Sequence, residues 1–102
     1  MIRETGGWAE DVSDREISEA MTLLAKTEGI FAETAGGVTL AVAKKLIDQG
    51  RIRRDEEIVI CITGNGLKTQ DAIADLVQKP AVIRPSMEEF EAILAGGEAV
   101  LA

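Results

Sequence analysis

The chain has 102 residues, of which 46% are hydrophobic, 28% charged and 3% aromatic, a balance that suits one modest globular unit with an aliphatic core. Its net charge of −7 excludes the basic surface that a nucleic-acid backbone requires, and no apolar run is long enough to span a bilayer and no signal peptide opens the chain. One cysteine, Cys61, and no histidine exclude an internal disulfide and argue against a zinc centre, and they make a reducing cytoplasm the expected location.

In chain order, Ser13-Asp14-Arg15-Glu16 has the spacing of a capping box, in which a hydroxyl and a glutamate three residues on satisfy each other's backbone donors. Ile17, Ala20, Met21 and Leu24 follow at helical spacing and Gly29 is a stop signal, so a helix is predicted within residues 12–29. Residues 30–63 read as strand, helix, strand. Ile30-Phe31-Ala32 is a short apolar strand; Val38, Ala41, Val42, Leu46 and Ile47 share one face of a helix from Gly37 to Gln49, with Gly50 placed to cap it.

The second strand, residues 57–63, is apolar on both faces, with Val59, Cys61 and Thr63 on one and Ile58, Ile60 and Ile62 on the other. That pattern belongs to a strand covered on both sides, as in parallel sheets. Residues 64–78 read as a glycine turn and a short helix bearing Ala72, Ile73, Leu76 and Val77. Residues 80–96 read as a short strand, Ala81 to Arg84 between Pro80 and Pro85, and a helix. Ser86 to Glu89 repeats the capping-box spacing, and Gly96-Gly97 ends that helix. The expected fold is therefore a single α/β unit over residues 1–102: three layers, a short, mostly parallel sheet and four helices.

Two stretches stand out chemically. Thr63-Gly64-Asn65-Gly66-Leu67-Lys68 places a hydroxyl and two glycines at the end of a buried-type strand, where α/β proteins bind ligands. The plainer reading of the same residues is a tight strand-to-helix turn, and on local sequence alone it is the better one. Glu33-Thr34-Ala35-Gly36-Gly37 sets a carboxylate before two glycines at a helix start. It suits either a polar ligand group or simple helix electrostatics with close packing on a sheet. Cys61 reads as an inert core thiol, Lys44 and Lys45 as a solvated face and Trp8 as a packing anchor; Lys68, after the glycine turn, is placed to meet an anion but reads more simply as a surface lysine.

Taken together, Glu33 to Leu40, Thr63 to Lys68, Arg3-Glu4-Thr5-Gly6-Gly7, Val12-Ser13-Asp14 and Thr27 to Phe31 resemble the C-terminal third of bacterial threonine synthases. Those are pyridoxal-phosphate enzymes similar to the tryptophan-synthase β family. The resemblance implies a part of a fold type II pyridoxal-phosphate domain. It also implies that Thr63 meets the pyridine nitrogen of the cofactor, that Glu33 lines the cofactor side of the pocket, and that Gly64 lends its backbone.

No lysine here sits in the motif of the family's Schiff-base lysine, and nothing here resembles its phosphate loop. The chain alone is thus expected to be inactive and to bind no cofactor tightly, its partner being a missing N-terminal catalytic half on the same or a separate chain. The rival reading is a stand-alone module that dimerises, with an exposed sheet edge as its contact, or that binds a small ligand at the Thr63 turn.

Overall fold

The computed structural model describes residues 1–2, 4–78 and 80–96. Arg3 of the first motif and Gly97 of the last stop signal lie outside them. Helix α1 runs Asp14–Glu28 and is closed at its start as the sequence predicts. The Glu16 N–H donates to the Ser13 hydroxyl, while the Ser13 N–H donates to the Glu16 carboxylate at 2.7 Å. Gly29 ends it in the left-handed region (φ 68°), its N–H bonded to the Ala25 carbonyl at 3.1 Å.

Helix α2 runs Thr34–Asp48 and so begins at Thr34 rather than Gly37. Glycine is a poor helix former, which is why the apolar pattern alone sets the start too late. Gly37 is needed there for packing, since a β-carbon on it would lie 2.7 Å from Met21 Cγ and 2.9 Å from the Ile17 carbonyl oxygen. After α2, Gly50 (φ 71°) donates to the Ile47 carbonyl at 2.9 Å and Arg51 to the Leu46 carbonyl at 2.8 Å, the paired bonds of a Schellman cap. The two helices and the link between them form the core, in which Ala20, Met21, Leu24, Ala32, Ala41 and Leu46 are buried.

The predicted sheet is not formed. Among the described residues there is no strand; the molecule is a helical structure with α1, α2 and a third helix, α3, over Met87–Ala95, rather than a three-layer α/β unit with four helices. Residues 57–63 carry the composition of a strand, but no backbone hydrogen bond joins them to any other described segment. A strand exists only as half of a ladder, and composition cannot supply the other half. Its alternation survives only in its second half: Ile60 and Ile62 are half-buried and Cys61 and Thr63 exposed, whereas Ile58 and Val59 are both exposed, Val59 at 90%. Cys61 is therefore a surface thiol and not a core one.

The stretch between Pro80 and Pro85 likewise forms no strand, and Val82 is 99% exposed. In place of the short helix near residue 72, three single 3-10 turns follow each other at Gly66–Lys68, Gln70–Ala72 and Ala74–Leu76. A segment so short gains too few hydrogen bonds to offset helix nucleation. The second capping box does not close either. The Ser86 side chain makes no cap bond, and Glu89 instead accepts the Arg84 N–H at 2.8 Å and pairs with the Arg84 guanidinium.

Trp8 is half-exposed and lies under the Arg51 guanidinium, 4.0 Å from the ring centroid. It is thus held by a cation–π contact and not by core packing. No helix among the described residues is long and apolar enough to cross a membrane. The radius of gyration is 18.7 Å, against about 13 Å for a compact domain of ~100 residues.

Candidate functional site

The two motifs read separately in the sequence meet in space. Ala32, fully buried, forms an isolated antiparallel bridge with Asn65. The Glu33 N–H donates to the Gly64 carbonyl at 3.0 Å, and the Gly66 N–H donates to the Phe31 carbonyl at 2.9 Å. This short bridge fixes the start of α2 against the Thr63–Gly66 turn. Both glycines of the turn are there because something else fills their side-chain space: a β-carbon on Gly64 would overlap the Glu33 carboxylate, and one on Gly66 would overlap the Phe31 ring. Gly36 does the same one helical turn on, where a β-carbon would lie 2.7 Å from Ala32 Cβ and 3.3 Å from Ile62 Cγ2.

Glu33 occupies the N-cap of α2, yet its side chain makes no capping bond. Its carboxylate instead lies 2.9 Å from Lys68 Nζ, the glutamate side chain 15% exposed and the lysine 67%. The capping role passes to a residue distant in sequence, for the Thr34 N–H donates to the Thr69 hydroxyl at 3.2 Å. Asn65 stiffens the turn by accepting the Leu67 N–H through its side chain at 2.9 Å. Thr63 stands at the edge of this arrangement, exposed, with its hydroxyl in no hydrogen bond among the described residues.

The structure thus brings Glu33 and Gly64 into contact and sets Thr63 beside them. Lys68 and Thr69 were not among the candidate site residues. The sequence signal for Lys68 is its charge and its place directly after the glycine turn, whereas 35 positions separate Thr34 from Thr69. Chemically the place offers an exposed hydroxyl, a glycine turn covered by the Glu33 carboxylate, and an ammonium paired with that carboxylate. No group of three or more carboxylate or cysteine side chains among the described residues could hold a metal ion. An open apolar groove of about 630 Å³, lined by Met21, Ile73, Leu76, Phe90 and Ile93 among others, shares only Phe31 with this site.

The two stretches that meet here, at the start of α2 and at the turn after Ile62, are the two that carry most of the threonine-synthase resemblance in the sequence. The chain belongs to the family described as pyridoxal-phosphate dependent enzyme, whose sequence profile matches residues 1–64. Within that family it is similar to threonine synthases. It is 46% identical over 93 residues to the threonine synthase of Methanocaldococcus jannaschii, covering 91% of this chain and 23% of that one. To that of Methanosarcina acetivorans it is 39% identical over 95 residues, 93% of this chain and 24% of the relative. To that of Halalkalibacterium halodurans it is 37% identical over 95 residues, 92% and 27% respectively. The chain spans about a quarter of the length of these curated relatives.

Proposed function

We propose that this chain is the C-terminal part of a threonine-synthase-like enzyme that converts O-phosphohomoserine and water to threonine and phosphate. In this reading it supplies the wall of the cofactor pocket that faces the pyridine nitrogen. The observation that carries the reading is the bridge between Ala32 and Asn65, which unites the two motifs of the threonine-synthase resemblance in one place.

The residues present fit one edge of pyridoxal phosphate. The Thr63 hydroxyl is exposed and unengaged among the described residues and would hydrogen-bond the ring nitrogen; Gly64 holds the turn against Glu33, whose carboxylate fills the glycine's side-chain space and lines the wall. Bound there, the cofactor supplies an electron sink for the carbon next to the substrate's amino group. A neutral hydroxyl does not hold the ring nitrogen protonated as an aspartate would, so Thr63 moderates that electron withdrawal. The chain alone is inactive and binds the cofactor only weakly, and it acts in the cytoplasm.

Its partner is the catalytic remainder of such an enzyme, in the same or a separate chain. The surface supports this. The accessible area is 8340 Å², whereas a folded monomer of this length exposes roughly 5,600 Å². Among the exposed apolar residues are Val59 (90%) and Val82 (99%).

The test is to co-express this chain with a Methanocaldococcus jannaschii threonine synthase lacking the matched segment, then to follow phosphate release and cofactor absorbance. Activity of the pair, absent from either part alone, is the expected result. A pair that neither binds pyridoxal phosphate nor releases phosphate overturns the reading. Self-association of the chain without affinity for the cofactor would favour a stand-alone module instead.

A further inference from the structure

We propose that Lys68 is a positioning residue for Glu33, and that this ion pair keeps the wall beside Thr63 electrically neutral. The assignment rests on the cofactor reading given above. Its geometry is local: Lys68 Nζ lies 2.9 Å from Glu33 Oε2, and the carboxylate occupies the space that Gly64 leaves by lacking a side chain.

Both partners stand on fixed backbone. Glu33 is held by its N–H bond to the Gly64 carbonyl at 3.0 Å, and Lys68 by its N–H bond to the Asn65 carbonyl at 3.2 Å. A glutamate at a helix N-cap has backbone donors within reach, yet this one gives them up and the Thr69 hydroxyl takes over at Thr34. The carboxylate is thereby committed to the turn and to Lys68.

The consequence is electrostatic. A lone carboxylate a few ångströms from a heteroaromatic nitrogen raises its basicity, and a lone ammonium lowers it. With both present the wall carries no net charge, and the Thr63 hydroxyl would be left as the group that sets the state of the nitrogen. Removal of either charge alone exposes the other.

The experiment is a pH titration of the absorbance of pyridoxal phosphate bound to the co-expressed pair described above. Lys68→Met is expected to raise the apparent pKa of the bound chromophore by about one unit and Glu33→Gln to lower it by about one unit. Lys68→Arg and the double variant Glu33→Gln/Lys68→Met should return it to the wild-type position. Opposite shifts that cancel in the double variant are a signature that loss of packing does not produce. If the pair binds the cofactor and the single-variant titrations coincide with the wild type, or both move the same way, the assignment of Lys68 is wrong while the cofactor reading stands. If the wild-type pair binds no pyridoxal phosphate, that reading falls and this assignment with it.

Discussion

Glu33 and Gly64 share one volume: the carboxylate of the first fills the space that a β-carbon on the second would need. Gly64→Ala therefore has to move Glu33. What it meets is the far end of a flexible side chain that can swing aside, and the pair it breaks with Lys68 is largely solvated on the lysine side. The expected stability loss is under about 1 kcal/mol, with cofactor binding by the co-expressed pair weakened well beyond that. Parallel urea melts and cofactor titrations of the variant would separate the two; an unchanged cofactor affinity would remove Gly64 from the site.

Gly37→Ala should behave in the opposite way. Its new methyl meets Met21 Cγ at 2.7 Å and, at 2.9 Å, the Ile17 carbonyl, which is backbone and cannot swing away. Forcing α1 and α2 apart is expected to cost about 1–3 kcal/mol, read as a lower urea midpoint with an unchanged slope. A midpoint equal to that of the wild type would mean that the two helices do not pack through Gly37.

Thr69→Val removes the acceptor for the Thr34 N–H, and no other side chain caps α2. The expected loss is about 0.5–2 kcal/mol, as for other N-cap deletions, and Thr69→Ser should restore most of it. Hydrogen exchange at the Thr34 amide reports the same bond directly, and should accelerate in the valine variant only.

Acid should loosen the start of α1. The backbone N–H and hydroxyl of Ser13 hold the Glu16 carboxyl below its ordinary value of 4.5. A carboxyl whose pKa is depressed on folding contributes stability above its unfolded value, and that contribution is lost as pH falls through the folded one. Helicity of the wild type should thus decline on acidification below pH 4.5, with part of that decline absent in Glu16→Gln. Identical acid limbs in the two proteins would show that the capping box carries no pH dependence.

Cofactor spectra of the co-expressed pair also test Thr63, the residue read as meeting the ring nitrogen. Thr63→Ala is expected to weaken binding and alter the absorbance with the fold unchanged, because Thr63 is exposed and its hydroxyl makes no hydrogen bond among the described residues. An unaltered spectrum would take Thr63 out of that role.

The helices α1 and α2 were legible because their signals are local: a hydroxyl and glutamate three apart, apolar residues at helical spacing, and glycines where the chain turns left-handed. The sheet was misread because Ile58 to Ile62 announce a preference for strand, while pairing depends on a neighbour that the described residues do not provide. The two ligand-type motifs could be read one at a time. Their meeting through Ala32 and Asn65, and the arrival of Lys68 and Thr69 beside Glu33, are long-range contacts that no local pattern encodes.

Cys61 is the chain's one thiol, and it lies exposed midway along the uncovered face between Val59 and Thr63. The molecule thus carries its own accessibility gauge. A thiol reagent that reacts freely with the isolated chain, and slowly once another polypeptide lies across residues 57–63, would time the burial of that face without any engineered label.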